Sequence, residues 1–507
     1  MIELNKAILA SFTILFLVSV SFLMDRKLSV KATPTTWTVD DDRVECADAD
    51  FTTIQEAINN ATEGDTVFVH KGIFYENVTV NKSLFLIGED KDSAIIDGNK
   101  TGSVISINAD SVSIRGFTIK GSGSTSYDSG IFVERSDGND ISHNTIIDNN
   151  YGINLYYSSD NLISDNTIID NNDGVSLYSS INNVISDNKI INNYDGIILY
   201  YSTLNVASDN TLIENHYGTL FYDSSRNVVF HNNFVSNIQQ TYSYNSINDW
   251  DYLNEGNYWS GYTGIDLYSG PYQNATGSDG IGDTPYAHDN YPLVGMFSDF
   301  KVTLDTETYH ITTICNSTIS EFRFEIGPET GNKIIRFDAT GKDGTVGFCR
   351  VVIPIELMEY PYIVLVGAEE INATKLDVST ETRIYLYLNY SHNSSTVAII
   401  SSKTLHLYNK LLDKYVALNA TYYDLLNDYA ILLGNYSKLQ KRHLELNNSY
   451  QEHLSDYSKN VNNIQNLIFI FAATTAILII TTIYLSKHAH RDETRVFEGN
   501  QKAQARA

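Results

Sequence analysis

A 22-residue repeat constrains the fold of this 507-residue chain more than any other feature. The first copy reads NTIIDNNYGINLYYSSDNLISD, and the four copies begin at Asn144, Asn166, Asn188 and Asn210. A fixed period in this range indicates stacked units that bury their apolar faces against their neighbours. Apolar residues alternate within each copy, as at Ile153 and Leu155, which indicates strands. The period therefore predicts a right-handed parallel β-helix with one coil per repeat and ~4.8 Å between coils.

Asn and Gly recur in columns at the repeat interval. The columns are Asn144, Asn166, Asn188, Asn210 and Asn232; Asn139, Asn161, Asn183, Asn205 and Asn227; and Gly130, Gly152, Gly174, Gly196 and Gly218. Both residue types tolerate the positive φ that a sharp corner needs. Asn side chains stacked at ~4.8 Å can also hydrogen-bond along the column. We interpret these columns as structural.

The segments on either side of the repeat resemble a known family. Residues 51–62 (FTTIQEAINNAT) have the pattern of a short amphipathic helix, and GDTVFV and YENVTVNKSLFLIGE follow it. GNYWSGYTGID and SDGIGDTPYAHDNYPL come after the repeat. Together these motifs resemble NosD-like, pectin-lyase-like β-helix proteins of the archaeal cell-surface type, over roughly residues 37–297. The resemblance implies that the helix caps the open end of the rod, where an exposed edge would invite aggregation.

The NosD name is associated with copper, but the residues here give that role little support. The chain has only four Met and three Cys, and no Cys/His/Met cluster with ligand spacing. A copper role is therefore not carried over from the resemblance.

Two apolar segments predict an exported, membrane-anchored protein. The N-terminus has the pattern of a signal peptide over residues 1–32, with an uncleaved anchor as the alternative. Residues 467–485 carry no charge and are long enough for one transmembrane helix. Lys487 and Arg491 follow, which places the tail 486–507 in the cytoplasm and the rest outside. The net charge of −27 makes nucleic acid an unfavourable partner.

Sequons for N-glycosylation support an exported location. The chain has twelve Asn-x-Ser/Thr sites, and none falls between residues 100 and 273. This gap would leave the rod surface bare for a partner. Alternatively, the Asn residues of the rod serve its corners and happen not to precede Ser or Thr.

The period ends after the β-helix, which we place at 33–297. Seven or so alternating segments over 298–401 predict an immunoglobulin-like β-sandwich. Cys315 and Cys349 lie in this domain and could form a disulfide in an oxidising compartment. Cys46 would then have no cysteine left in the chain to pair with.

A heptad pattern occupies 402–465. Tyr recurs at one heptad position from Tyr408 to Tyr457, and Leu three residues later from Leu411 to Leu446. This seam predicts a coiled-coil stalk and a homo-oligomer, with a single helix docked on its own sandwich as the alternative.

One column of the rod is a candidate binding surface for carbohydrate. Its members are Tyr156, Tyr178, Tyr200 and Tyr222. They are out of phase with the inward Leu residues and should face solvent, where an aromatic ribbon can stack against sugar rings. The alternative is a ladder of tyrosines that only stiffens the sheet.

Two sets of acidic residues are candidate cation sites. The first is the column His143, Asp165, Asp187, Asp209 and His231, in which stacked carboxylates repel each other. The second is Asp266, Asp279, Asp283 and Asp289, which cluster around the motif SDGIGD after the repeat; we call this segment the closing loop. Ca²⁺ is the cation that such oxygen ligands favour. A solvated column and plain turns capped by Asp are the respective alternatives.

These observations predict a cell-surface protein that binds polysaccharide or a surface glycoprotein. Enzymes on β-helices need localised carboxylates or an Arg base, and the coils show no Gly-His-Gly, adjacent Asp-Asp or Arg-x-Lys motif. We therefore name no catalytic residue. A polysaccharide lyase or glycoside hydrolase is the first alternative, and a purely structural envelope component is the second.

Overall fold

The computed structural model describes residues 34–392, 396–401 and 404–504. The predicted signal peptide and the sequon at Asn393 lie outside the described residues. The described chain divides between Thr404 and Leu405 into a mainly β unit and a helical unit, which are described separately.

Three parallel sheets form a β-solenoid of about nine turns, as the repeat predicts. The first sheet contains Thr36–Val39, Thr66–Val69, Phe85–Gly88, Ser113–Arg115, Asp140–Ser142, Leu162–Ser164, Val184–Ser186, Val206–Ser208 and Val228–Phe230. The second contains Val78–Val80, Ile105–Ile107, Ser129–Glu134, Tyr151–Tyr156, Asp173–Tyr178, Asp195–Tyr200, Tyr217–Tyr222 and Gln239–Tyr244. The third contains Gly72–Phe74, Ala94–Asp97, Thr118–Lys120, Thr145–Ile147, Thr167–Ile169, Lys189–Ile191, Thr211–Ile213, Asn233–Val235 and Tyr258–Trp259.

A short helix, Ile54–Asn60, lies against the first strands of this rod. Thr53 caps it by accepting a hydrogen bond from the backbone N–H of Glu56. Its apolar residues Ile54, Ala57 and Ile58 are buried and belong to the same apolar core as the strands.

Asn ladders hold the coils in register. In each ladder the backbone N–H and the Nδ2 of one Asn both donate to the Oδ1 of the Asn 22 residues later, as Asn161 does to Asn183 at 3.0 and 2.9 Å. Asn183 repeats this with Asn205, at 2.9 Å in both bonds. The two predicted columns have this geometry, and a third runs through Asn149, Asn171, Asn193, Asn215 and Asn237. The predicted hydrogen-bonded columns are therefore present.

The corner role predicted for these Asn and Gly residues was wrong. Positive φ belongs to the residue just before each Asn, for example Asp165, Asp187 and Asp209 at 55°, 57° and 61°. The Gly column serves close packing instead, since a Cβ built on Gly174 would lie 2.5 Å from the carbonyl oxygen of Gly196. Any side chain at this column would therefore collide with the next coil.

Two antiparallel five-stranded sheets follow the rod. The first contains Met296–Leu304, Glu307–Cys315, Val346–Pro354, Thr374–Lys375 and Arg383–Ser391, and the second contains Thr318–Ile326, Lys333–Thr340, Tyr362–Val366, Glu369–Ile371 and Thr396–Ser401. A small hairpin, Tyr268–Ser269 with Ala275–Thr276, precedes them. Buried residues of both sheets, such as Ile311 and Ile399, share one apolar core. We call this part the double-sheet domain.

The helical unit is one helix, Thr404–Gln504. It contains a stretch that is long and apolar enough to cross a membrane. The described seam residues Tyr429, Tyr436, Leu439 and Leu446 are exposed on this helix. A coiled coil would cover them in an oligomer, and that association stays a prediction.

We expect Asn183→Ala to destabilise the rod by at least about 2 kcal/mol, because Asn161 would lose the oxygen to which it donates twice. Asn108→Ala is a matched control on an exposed rod residue, and should change the free energy of unfolding by less than about 0.5 kcal/mol. Denaturant unfolding followed by circular dichroism measures both. Equal effects would contradict a stabilising ladder.

Candidate functional site

The predicted tyrosine column lies on the outer face of the second sheet. Tyr156, Tyr178, Tyr200 and Tyr222 are in register on consecutive parallel strands. Each is half-buried, and the preceding residue of each strand is buried in the core. The alternation that predicted this orientation is therefore present in the structure.

The tyrosines do not form one continuous stack. Tyr156 and Tyr178 stack with ring centroids 5.3 Å apart, and Tyr222 stacks on Tyr244 at 4.7 Å. Tyr200 is tilted by 52° from Tyr222. The stack is therefore interrupted at Tyr200, and whether the column binds a ligand or only stiffens the sheet stays a prediction.

A groove opens along this face, with a volume of about 430 Å³. We call it the tyrosine groove; its lining residues are Ser126, Tyr127, Tyr151, Asn154, Tyr156, Ser176, Tyr178, Tyr200, Tyr201 and Tyr222. The rings of Tyr157 and Tyr201 meet the ring of Tyr178 edge-on at 5.8 and 5.7 Å. Aromatic faces and hydroxyls together suit a ligand with both apolar and polar surfaces.

Two carboxylates beside the groove were not predicted from the sequence. Asp173 and Asp195 pair in register at the start of neighbouring strands of the second sheet, and each is 7% exposed. Burial, with the charge of Asp195, raises the pKa of Asp173 to about 7. Burial likewise raises the pKa of Asp195 to about 6. In the sequence each Asp precedes a Gly, a pattern typical of a turn, so neither residue stood out as a site candidate. Their 22-residue spacing was the signal that could have identified them.

Tyrosines of the groove lie close to this carboxylate pair. Burial raises the pKa of Tyr200, and the charges of Asp173 and Asp195 add to the effect. The same causes, burial first, raise the pKa of Tyr151. Because Tyr151 and Tyr200 also line the groove, they connect it to the carboxylate pair.

The predicted acidic column lies against the double-sheet domain. Lys301 of the strand Met296–Leu304 places its Nζ 3.5 Å from Asp165 and 4.0 Å from Asp187. At one end, His143 lies 3.9 Å from Asp165. A lysine ammonium therefore contacts two carboxylates of the column, and Ca²⁺ at this column stays a prediction.

His231 ends this column in a buried ionic network. Its ring nitrogens lie 3.5 Å from Asp209 and 2.9 Å from Glu255. Arg350 of the double-sheet domain is 2% exposed and lies 2.7 Å from Glu255. Despite burial, Arg350 and His231 lower the pKa of Glu255 to about 2. The column therefore joins the rod to the double-sheet domain.

The four aspartates of the closing loop bind backbone N–H groups. Asp266 accepts from the N–H groups of Asp279 and Gly280 at 3.0 and 2.8 Å. The other three do the same in separate turns: Asp279 accepts from Gly270 and Ile281, Asp283 from Leu267 and Tyr268, and Asp289 from Asn257 and Tyr291. Turns capped by Asp explain these contacts, and Ca²⁺ at this loop stays a prediction.

The predicted disulfide partners are free thiols in this structure. Cys315 and Cys349 lie opposite each other on neighbouring antiparallel strands. The thiol of Cys315 instead donates to the carbonyl of Phe348 at 3.1 Å and contacts the hydroxyl of Tyr390 at 3.3 Å. A hydrogen bond with Cys349 is the main cause that lowers the pKa of Cys315 to about 7.

The fold and this face define a class: a parallel β-solenoid with an aromatic groove on its outer surface. Residues 58–264 match the model of the family described as periplasmic copper-binding protein (NosD). A cell surface glycoprotein of Methanothermus fervidus is 41% identical over 99 residues, which are 19% of this chain and 16% of that protein. The chain thus matches less than one fifth of the length of this relative.

Solved structures with similar coils include two enzymes. An alginate lyase from Paenibacillus sp. aligns with a TM-score of 0.27 at 14% identity, over 42% of this chain and 95% of that chain. Pectin methylesterase PemA from Erwinia chrysanthemi aligns with a TM-score of 0.24 at 13% identity, over 43% of this chain and 90% of that chain.

The residues do not fit the copper of the family description. Within the described part of the chain, only Asp40, Asp41 and Asp42 bring together three or more His, Cys or carboxylate groups at ligand distance. Carboxylates alone suit hard cations such as Mg²⁺ or Ca²⁺ rather than copper. We therefore derive no copper chemistry.

We expect Arg350→Met to destabilise the protein by about 3–5 kcal/mol, because Glu255, which is 17% exposed, would keep its charge in a largely buried position without its guanidinium partner. Adding Glu255→Gln should recover part of this loss, which a double-mutant cycle in denaturant measures. The control Arg323→Met breaks an exposed pair with Glu325 and should cost less than about 1 kcal/mol. Equal losses for the two single variants would contradict a stabilising buried network.

We expect Asp173→Asn to stabilise the protein at pH 8 by roughly 1–4 kcal/mol. The pKa of Asp173 is raised from 3.8 to about 7, so the folded state binds more protons than the unfolded state between these values. Stability from this group therefore falls as pH rises through that window, and Asn removes the effect. Thermal melts from pH 4 to 8 should show the advantage vanish near pH 4; a pH-independent difference would contradict it.

Proposed function

We propose that this chain is a membrane-anchored cell-surface protein whose rod binds the glycans of a polysaccharide or a surface glycoprotein. The tyrosine groove is the observation that carries the proposal. Sugar rings present apolar faces and hydroxyls, and the groove offers tyrosine rings beside the polar side chains of Asn154 and Ser176. The similarity of one segment to a cell surface glycoprotein supports the location.

The anchor in this proposal is the apolar segment 467–485 of the long helix. The basic residues after it favour a cytoplasmic tail and an extracellular rod. The seam upstream would hold several chains together and present several grooves at once, which raises avidity for a repetitive glycan. Homo-oligomerisation is part of the proposal.

Glycan cleavage is a second candidate, favoured by the pair Asp173 and Asp195. Neighbouring coils are ~4.8 Å apart, near the ~5–5.5 Å between the carboxyl groups of retaining glycosidases. The raised pKa values of about 7 and about 6 would leave one carboxyl protonated near neutral pH. Both carboxyls are buried, however, so binding remains our first proposal.

The test is a glycan array probed with the full-length protein in detergent, with and without Ca²⁺, followed by analysis of bound polysaccharides for shortened products. Binding without cleavage supports our proposal. Cleavage supports the second candidate, and neither binding nor cleavage favours a structural envelope role.

We expect Tyr178→Ala to weaken glycan binding at least 10-fold, because this ring contacts tyrosines on both sides of the groove. Tyr75→Ala is the control, since this exposed tyrosine lies outside the groove. Circular dichroism checks that both variants fold. Unchanged affinity for Tyr178→Ala would overturn the groove as the binding site.

A further inference from the structure

Two short polar side chains, Asn154 and Ser176, form what we call the floor of the tyrosine groove. They pair in register on neighbouring strands of the second sheet. Each lies between two core residues of its strand, so its side chain points away from the core. In the same column Phe132 precedes Asn154 and Ile198 follows Ser176, and neither of these apolar residues lines the groove. Large apolar side chains therefore bound a floor that is two coils long.

The polar groups of the floor have no partner within the described part of the chain. Asn154 and Ser176 are each 4% exposed, and neither the amide of the one nor the hydroxyl of the other hydrogen-bonds to another described residue. The ladder residues differ, since their amides bond to the next coil, as Asn161 does to Asn183. A polar side chain this little exposed and without a partner calls for an explanation. Both floor residues line the groove, and their polar atoms are not sealed from it, so a ligand can reach them.

The lining of the groove is uncharged. Every lining residue is Tyr, Ser or Asn. Asp173 and Asp195 do not line the groove, and the Oδ1 of Asp195 is sealed from solvent. A carboxylate or an ammonium group of a ligand would therefore lose water here without gaining an opposite charge. A sugar hydroxyl both donates and accepts, as do the Asn amide and the Ser hydroxyl, so neutral sugars match this lining.

We propose that the tyrosine groove selects glycans of neutral hexopyranoses, and that Asn154 and Ser176 are its specificity-determining residues. This inference rests on the proposed glycan binding and names its substrate class. Neighbouring coils are ~4.8 Å apart, so both side chains can hydrogen-bond hydroxyls of one sugar ring while tyrosine rings of the groove pack against its apolar face. A site built to bond hydroxyls disfavours analogues in which a hydroxyl is replaced. Glycans that carry carboxylates or amines are therefore bound more weakly than their neutral counterparts.

The test compares three hexamers that share one linkage and one ring configuration, by isothermal titration calorimetry with full-length protein in detergent. They are a glucose hexamer, a glucosamine hexamer with an amine in place of one hydroxyl of each ring, and a glucuronate hexamer with a carboxylate in place of each hydroxymethyl group. At pH 6 the amines and the carboxylates of these sugars are charged. We expect the glucose hexamer to bind at least about 10-fold more tightly than either charged hexamer.

Two variants test the floor residues directly. Ser176→Ala should weaken binding of the glucose hexamer about 3- to 10-fold, because one hydrogen bond to the ligand is lost. Asn154→Leu should weaken it at least about 10-fold, because both a donor and an acceptor are lost. Neither side chain has a protein partner to lose, so thermal melts should show both variants at least as stable as the unchanged protein. Ser106→Ala is the matched control, because Ser106 lies in the same column beyond Phe132 and outside the groove, and it should leave the affinity unchanged.

The outcomes separate this inference from the proposed function. Equal or tighter binding of a charged hexamer would overturn the inference alone, and so would binding of other glycans on the array but of none of these hexamers. Affinity that falls in Tyr178→Ala but not in the two floor variants would keep the groove and overturn the role of its floor. Floor variants that lose thermal stability together with affinity would show a structural role instead. A protein that binds no glycan would overturn the proposed function and this inference together.

Discussion

The Asn ladders are the interactions on which the rest of the rod depends. Each Asn oxygen accepts two hydrogen bonds from the preceding coil, one from a backbone N–H and one from a side-chain amide. These bonds satisfy buried polar groups and fix each coil directly above the next. Once the coils are aligned, each remaining position of the repeat lies next to the equivalent position of the neighbouring coil. The solenoid therefore places equivalent positions of the repeat ~4.8 Å apart on each face.

This stacking brings charged side chains together on one face of the rod and aromatic side chains together on another. On one face it stacks Asp165, Asp187 and Asp209. Lys301 of the double-sheet domain pairs with Asp165 and Asp187, and Arg350 of that domain pairs with Glu255, which contacts His231 at the end of the column. That face is thereby used to join two parts of the β unit. On another face it stacks tyrosines, which line a groove beside the buried carboxylates Asp173 and Asp195. The double-sheet domain contacts the first face, and the tyrosine groove lies on the second.

Much of the rod was predictable because its period is strict. The strands, the Asn columns and the outward tyrosines follow from residue spacing alone, since one coil repeats the environment of the previous one. The Gly column was assigned the wrong role, because sequence cannot distinguish a residue needed for positive φ from one needed for close packing. Gly174 is required by the carbonyl of Gly196, and this contact exists only between coils.

The candidate site, like the rod, was predictable from the sequence only in part. The sequence by itself determined the solenoid, its tyrosine face, the acidic column and a helix able to cross a membrane, because each depends on local spacing or composition. Only the tertiary structure decided that Lys301 pairs with Asp165 and Asp187 of that column and that Asp173 and Asp195 are buried beside the groove. The physical reason is that charge compensation and burial depend on groups distant in the sequence. Lys301 is more than one hundred residues from Asp165, and no local pattern brings them together.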